Sequence, residues 1–248
     1  MSFVALGSAK GSPGVTTLAA ALAATWPPAR HLLLVEADPA GGALTSRFDM
    51  PGEPGLVSLA AAGRRDLDGE VLAEHLQQLP GPGEGKVGLL AGPVAAEQAS
   101  VALSALRPRL AEVLAGLASD VIVDCGRLDS ASPAADLVNT ATVLALVLRP
   151  TVADVHHAST RLAALAPACL VGVVVVGERP YPPTDVAAAV GAPLIGTIPA
   201  DARSAAALNG EAGMRRGIER APLLRASRKL AEQLVGFLAM NDALKATG

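Results

Sequence analysis

Short apolar runs rich in valine and leucine alternate along the chain with longer alanine-rich segments. The short runs have the composition of strands buried on both faces, and the longer segments have helical periodicity. Seven strands are predicted, at residues 3–7, 31–36, 87–91, 120–125, 142–148, 170–176 and 193–197. Eight helices are predicted, at residues 16–25, 69–79, 95–117, 133–139, 153–165, 184–190, 203–209 and 222–244. The alternation predicts an α/β three-layer sandwich with a mostly parallel central sheet of about seven strands.

The proline- and glycine-rich segment 79–85 is short and lies between a predicted helix and a predicted strand. It is therefore predicted to be a surface loop rather than a linker between domains. We expect one domain over residues 1–248, with right-handed crossovers between its parallel strands.

The composition raises the question of a membrane protein, because 51% of the 248 residues are apolar and the mean hydropathy is +0.41. The longest uncharged apolar stretches are residues 18–26, 141–148 and 168–177. Each is well short of the roughly 20 residues that a spanning helix needs. The apolar excess comes from alanine and valine in a buried sheet and its helices, and the composition excludes a disordered chain.

Charge and cysteine usage indicate a cytoplasmic protein. The net charge is −3, which gives no general attraction to nucleic acid or to anionic lipid. Cys125 and Cys169 both lie in apolar, strand-like runs, which is typical of a reducing compartment and implies no disulfide. The first residues lack the basic region and the long apolar region of a signal peptide.

A glycine-rich loop, GSAKGSPGVTT at residues 7–17, joins the first strand to the first helix. This arrangement favours anion binding, because backbone N–H groups and the helix dipole face the loop and a threonine hydroxyl can bind Mg²⁺. The general phosphate-loop pattern has a lysine at the position of Val15. The alternative interpretation is a tight turn whose glycines serve only its geometry.

The segment 10–17, KGSPGVTT, resembles the deviant Walker A motif of the ParA/MinD family of dimerising ATPases. The resemblance implies an ATP or ADP site with Mg²⁺, formed by the loop residues Gly11, Ser12, Pro13, Gly14, Val15, Thr16 and Thr17. In this scheme Lys10 is the signature lysine, which reaches the nucleotide of the partner subunit. Thr16 binds Mg²⁺ and Thr17 contacts the α-phosphate. Val15 replaces the lysine within the loop.

Two acidic segments extend the resemblance. Residues 34–42 are similar to the family's Asp-x-Asp-Pro segment, with Glu36 in the first acidic position. Asp38 in the second position is implied to orient the attacking water; its alternative interpretation is an exposed turn residue before Pro39. Asp124 ends the predicted strand at 120–125, where the Walker B carboxylate holds Mg²⁺. A buried carboxylate there needs a partner in any case.

Residues 198–210 resemble the family's loop after the last strand, which lines the adenine pocket, and Pro199 and Asp201 are the nucleotide-binding candidates there. Gly177 stands where the family often has an asparagine that reads the base. The resemblance covers residues 3 to about 210.

One basic cluster lies near the carboxyl end of the chain. Its members are Arg215, Arg216, Arg220, Arg225, Arg228 and Lys229. They are interpreted first as the solvated face of the last helix, and alternatively as a surface that binds DNA phosphates without sequence specificity. Residues 240–248 lack the bulk and the charge of a membrane-binding helix, so no direct membrane anchor is expected.

Three hypotheses of function follow. The first is a ParA/MinD-like homodimer that positions another cellular machine, such as a secretion or pilus ATPase, with weak or absent ATP hydrolysis because of Val15. The resemblance here is to localisation factors of the TadZ/CpaE type. The second is an active ATPase of the chromosome-partitioning type that uses Lys10 in trans and Asp38. The third is a scaffold that binds no nucleotide.

Overall fold

The alternating apolar segments build one eight-stranded sheet with helices on both faces. A computed structural model describes residues 3–10, 13–80, 87–129, 131–210 and 218–246. The strands, β1 to β8, are Phe3–Ser8, Leu32–Glu36, Gln77–Leu79, Val87–Leu90, Asp120–Arg127, Val143–Leu148, Leu170–Val176 and Leu194–Ile198. The helices, α1 to α11, are Val15–Thr25, Leu44–Arg47, Leu56–Ala62, Gly69–Glu74, Ala96–Leu106, Arg109–Gly116, Ala135–Thr140, Val152–Leu165, Pro183–Val190, Ala202–Leu208 and Pro222–Ala246.

The strand order is β3-β4-β2-β5-β1-β6-β7-β8. All neighbouring strands run parallel except β3 and β4, which are antiparallel. β1 lies at the centre, between β5 and β6. The strands β2, β3 and β4 lie on one side of the central pair β5 and β1, and the strands β6, β7 and β8 lie on the other side. Open α/β sheets bind ligands at such a reversal, outside the carboxyl ends of the strands.

Side chains along each central strand alternate between two apolar clusters. Val4 and Leu6 of β1 belong to the cluster beneath α1, α10 and α11, whereas Ala5 belongs to the opposite cluster beneath α3 to α9. Because a strand places successive side chains on opposite faces, strands covered by helices on both sides must be apolar throughout. The predicted α/β three-layer class is therefore confirmed.

The prediction of seven strands is wrong by one, because β3 was assigned to a helix at 69–79. That helix ends at Glu74, and Gln77–Leu79 pairs with Val87–Leu89 of β4. Apolar residues at helical spacing continue through this segment, so periodicity alone extended the helix. These residues form a strand instead of a helix because the backbone groups at the edge of β4 are available to pair with them. Residues 81–85 of the predicted surface loop lie outside the described residues.

The predicted helix 95–117 is two helices, α5 and α6, which meet at Arg107 and Pro108. Proline has no N–H and disfavours a helical conformation in the residue before it, so the pattern is continuous but the helix is not. The short helices α2 and α3 were not predicted. Within the described ranges, no helix combines the length and the apolar character needed to cross a membrane.

Candidate functional site

The loop between β1 and α1 leads directly into the start of α1. Gly14 is the N-cap residue and has a left-handed conformation, φ 98° and ψ 37°, which favours glycine. In the part of the chain that the structure describes, no side chain caps this helix. Its first N–H groups and the positive end of its dipole are therefore available to an anion. Lys10 is exposed, Pro13 is buried, and Gly11 and Ser12 lie outside the described residues.

Val15 is the first residue of α1 and its side chain is only 6% exposed. It belongs to the apolar cluster that also contains Leu18 and Leu22 of the same helix. The position that carries a lysine in the general phosphate loop is thus used here for packing. This substitution removes one positive charge from the loop and adds apolar contacts beneath it.

Thr16 and Asp124 lie together, as the magnesium assignment requires. The Thr16 side chain is hydrogen-bonded to the Asp124 carboxylate, which is 1% exposed and also accepts a bond from the Gly126 N–H at 2.9 Å. Burial raises the pKa of Asp124 to about 6, against the effect of these hydrogen bonds and with help from the charges of Asp38 and Glu36. The buried carboxylate therefore has partners, and the two oxygen donors suit Mg²⁺.

Asp38 follows β2 and lies beside Asp124. Its Oδ1 accepts a hydrogen bond from the Ala40 N–H at 2.8 Å. This bond forms a local turn, as the alternative interpretation of Asp38 as a turn residue before Pro39 expects. Its carboxylate is nevertheless half-buried and lies against Gly126, where a Cβ would come within 1.9 Å of Oδ2. Burial raises the pKa of Asp38. The structure thus combines the turn with a place in the acidic site.

Glu36 has a structural role that the sequence did not reveal. Its side chain is 2% exposed, and Oε1 accepts hydrogen bonds from the N–H groups of Ala43 and Leu44 at 2.7 and 2.8 Å. Oε2 accepts a third from Gly92 at 3.1 Å. Burial raises the pKa of Glu36, while these bonds and Arg47 lower it. Glu36 therefore ties the segment that carries Asp38 to the end of β4.

An open cleft of about 460 Å³ extends from the start of α1 to the carboxyl ends of β7 and β8. It is lined by Pro13, Gly14, Thr17, Leu18, Arg149, Pro150, Thr151, Val176, Gly177, Arg179, Ile198, Pro199, Ala200, Asp201, Ala202, Ala205, Asn209 and Leu223. The segments assigned to the loop and to the base pocket thus share one cleft. Arg149 and Arg179 in its wall were not singled out in the sequence, because nothing marks their convergence.

Two polar candidates in the cleft make internal bonds. Thr17 donates from Oγ1 to Oδ1 of Asn209 at 2.9 Å. Asp201 is the N-cap of α10, where it accepts bonds from the N–H and hydroxyl of Ser204 at 3.1 and 2.6 Å. Burial alone would raise the pKa of Asp201, but these hydrogen bonds outweigh it and the pKa is lowered. Asp201 therefore shapes the cleft wall through the turn that it caps.

The basic residues near the carboxyl end lie on a solvated surface. Arg220, Arg225, Arg228 and Lys229 are exposed. The opposite face of α11 is apolar, and its leucines at positions 223, 224, 230 and 234 are buried. Arg215, Arg216 and the side chain of Leu238 lie outside the described residues. These exposures agree with the solvated-face interpretation and leave the same cations accessible to an anionic partner.

The sheet order, the glycine-bounded loop and the Thr16–Asp124 pair define the fold of a P-loop NTPase. Solved structures with this fold include MinD complexed with Mg-ADP from Pyrococcus horikoshii, with 20% identity, a TM-score of 0.76 and coverage of 94% of this chain and 95% of that one. A ParA family ATPase from Chlorobium tepidum has 19% identity, a TM-score of 0.73 and coverage of 94% and 98%.

A putative plasmid partition protein from Borrelia burgdorferi bound to AMPPNP has 11% identity, a TM-score of 0.71 and coverage of 95% and 98%. The sequence matches no protein-family model and no curated protein. At these identities the structural similarity establishes a shared fold, which is that of the ParA/MinD ATPases.

Proposed function

We propose that this protein is a nucleotide-binding member of the ParA/MinD family that acts as a dimerising spatial organiser, with weak or absent ATP hydrolysis. The observation that carries the proposal is the Thr16–Asp124 pair at the uncapped start of α1. A buried carboxylate and a threonine hydroxyl can bind Mg²⁺, and the helix N-terminus beside them can bind phosphate. The two ligands suit the site together because the charge of Mg²⁺ and the charge of phosphate offset each other.

The cleft supports a place for the rest of the nucleotide. Phosphates would lie over the loop and the first turn of α1, and the base would lie between Gly177 and the Pro199–Asp201 turn. Thr16 and Asp124 would hold Mg²⁺, which supplies positive charge to the phosphate oxygens when it is bound. The volume of about 460 Å³ is within the usual range for small-molecule sites.

The weak hydrolysis in this proposal follows from Val15. A lysine in the loop places a point charge beside the phosphates, and that interaction strengthens as charge develops in the transition state. Val15 is buried in the apolar cluster and provides no such charge. Asp38 retains a position next to Asp124 from which it can orient a water molecule. The proposed site therefore holds nucleotide better than it hydrolyses it.

The proposed partners are a second copy of the chain and a protein of a larger machine, such as a secretion or pilus ATPase. Lys10 is exposed in the loop, after the end of β1, which supports its assignment as the lysine that reaches a partner's nucleotide. DNA remains a candidate partner of the exposed cations on and before α11, through a salt-dependent phosphate contact. A cytoplasmic location belongs to the same proposal.

Nucleotide binding is tested with Thr16→Ala, which removes the hydroxyl from Asp124. Calorimetric titration of Mg-ATP and Mg-ADP should give saturable binding to the wild-type protein. The variant should lose about tenfold or more in affinity, since the hydrogen bonds of charged groups contribute about 1.5–3 kcal/mol. Thr184→Ala is the matched control, because Thr184 is exposed in the first turn of α9 and lies outside the cleft. No binding at millimolar nucleotide would leave the scaffold hypothesis.

Dimerisation is tested by light scattering with and without Mg-ATP. The proposal expects the mass to double with nucleotide and Lys10→Ala to prevent this without unfolding the chain. Phosphate release measured on the same samples distinguishes the organiser from the active ATPase. Rapid turnover that Lys10→Ala abolishes would favour the ATPase.

A further inference from the structure

The end of β5 contains an extra residue relative to its neighbour β1. Leu6 pairs with Asp124 and Ser8 pairs with Arg127, so Gly7 alone stands opposite Cys125 and Gly126. Gly126 has a φ of 56°, in the left-handed region. Such irregularities increase the local twist and re-aim side chains, and they are common next to active sites.

The extra residue decides the face on which Arg127 lies. Side chains that pair across two strands share a face, and residues two apart on one strand share it too. Leu6 belongs to the cluster beneath α1, so Asp124 and Ser8 lie on the α1 face, and Arg127 lies there with Ser8. In a regular strand a residue three positions after Asp124 would lie on the opposite face, so the irregularity is what brings Arg127 to the α1 face.

Arg127 also lies at the phosphate loop. The Leu128 N–H donates to the Ser8 carbonyl at 2.8 Å, so this segment runs beside the last residue of β1 before Lys10. Arg127 itself is exposed. The charge of Arg127 acts on Asp129, which also forms an ion pair with Arg161 at 3.3 Å. The backbone of Arg127 thus lies beside the end of β1, where the loop begins, and its pairing with Ser8 places its Cβ on the same side of the sheet as the Thr16–Asp124 pair.

We propose that Arg127 supplies, from the same chain, the phosphate-binding positive charge that Val15 does not provide. This inference rests on the proposed nucleotide site. A phosphate chain held over α1 brings several negative charges to a site that already contains Asp38 and Asp124. Arginine suits this task because its planar guanidinium makes two parallel hydrogen bonds to phosphate oxygens and stays charged. The binding target is the terminal phosphate of a nucleoside di- or triphosphate.

The test compares Mg-ATP, Mg-ADP and AMP in titrations of the wild-type protein and Arg127→Gln. We expect the variant to bind Mg-ATP and Mg-ADP about 10- to 100-fold more weakly, the range of a charge-assisted hydrogen bond. AMP affinity should stay within about twofold. Arg127→Lys keeps the charge but cannot make both parallel hydrogen bonds, so its affinity should lie between those of the wild-type protein and Arg127→Gln. Arg64→Ala, which removes another exposed arginine, should change nothing.

A double-mutant cycle that combines Val15→Lys with Arg127→Gln tests whether a lysine at position 15 and Arg127 supply the same phosphate-binding charge. If Arg127 replaces the missing lysine, Arg127→Gln should reduce affinity much less in the Val15→Lys background than in the wild type, because coupled residues are not additive. Thermal melting of each variant confirms that it is folded.

Two results would overturn the inference, and they are distinguishable. If Thr16→Ala weakens Mg-ATP binding but Arg127→Gln does not, the nucleotide site stands and the role of Arg127 is wrong. If the wild-type protein binds no nucleotide at millimolar concentration, the proposed function fails and the inference fails with it.

Discussion

Glu36 binds three backbone N–H groups that come from two separate segments of the chain. The residues just after β2 contain Asp38, and the end of β4 contributes Gly92. One carboxyl group therefore fixes the acidic loop against its neighbouring strand. An unpaired buried N–H costs about 1–3 kcal/mol, so this single side chain has a large effect on the local structure.

Glu36→Ala should lower the free energy of unfolding by about 3 kcal/mol or more, because it leaves these N–H groups buried without an acceptor. Denaturant unfolding measures the change. Glu112→Ala on α6 is the control, since Glu112 is exposed. A loss of less than about 1 kcal/mol for Glu36→Ala would mean that water or another group takes over these bonds.

Val15→Lys should strengthen Mg-ATP binding by about tenfold, because the new ammonium group can extend along the loop to the phosphates while its aliphatic stem stays packed. Loss of the valine contacts should cost about 1 kcal/mol of stability. Leu170→Lys adds the same charge at the opposite end of the sheet, where Leu170 is 45% exposed, and should leave the affinity unchanged. Unchanged affinity in Val15→Lys would argue against a phosphate site in the loop.

Asp124 predicts a pH-dependent stability in the absence of nucleotide. Its pKa in the folded state is about 6, mainly because of burial, against 3.8 for the ordinary group. Between these values the folded state binds more protons than the unfolded state, so the free energy of unfolding falls as the pH rises from about 4 to about 6. The charged form costs on the order of 3 kcal/mol above this window.

Asp124→Asn removes this cost and keeps the shape of the side chain. We expect the variant to be more stable than the wild type at pH 7.5, and the difference should shrink toward zero near pH 4. Chemical denaturation at several pH values gives the comparison. A difference that does not vary with pH would contradict the assigned cause.

At the scale of single elements, β5 positions most of the site. It carries Asp124, the irregularity at Gly126 and Arg127. The Asp38 carboxylate occupies the space that a side chain at Gly126 would need. Glycine is thus required at this position both for its φ and for the close approach of Asp38.

Gly126→Ala and Gly191→Ala separate these two requirements. Both glycines have a positive φ, but nothing lies within 4 Å of a Cβ added at Gly191. Each alanine should cost about 1–2 kcal/mol for its backbone conformation. Gly126→Ala should cost about 2 kcal/mol more, because the Asp38 carboxylate must move. If the two variants lose the same free energy of unfolding in denaturant, the Asp38 carboxylate can move away from the new Cβ without an energetic penalty.

The sequence predicted the central strands well because burial on both faces demands continuous apolar runs. β7 has the predicted limits, at Leu170–Val176. The edge strand β3 and the helices α2 and α3 were missed, since short elements depend on partners that are distant in sequence. The Thr16–Asp124 pair could be anticipated from the resemblance to the family's Walker motifs. The anchoring role of Glu36 could not be anticipated, because its carboxylate accepts hydrogen bonds from backbone N–H groups that no local sequence pattern identifies.

At the scale of the whole molecule, the site lies where the sheet order reverses around β1. The carboxyl ends of β2, β5 and β1 are adjacent there, so Asp38, Asp124 and the loop converge although they are far apart in sequence. Two apolar clusters hold the helices on either face. This scaffold fixes the site geometry without the charge of a loop lysine.

The central claim is that this loop binds nucleotide but hydrolyses it poorly. Incubation of the wild-type protein with labelled Mg-ATP, with bound nucleotide and released phosphate counted in the same samples, tests both parts together. We predict saturable binding of one nucleotide per chain, with phosphate release on the order of 10⁻⁴ s⁻¹ or slower, as in P-loop NTPases without a stabilising arginine finger. Absence of binding at millimolar Mg-ATP, or turnover near 1 s⁻¹ or faster, would contradict the account.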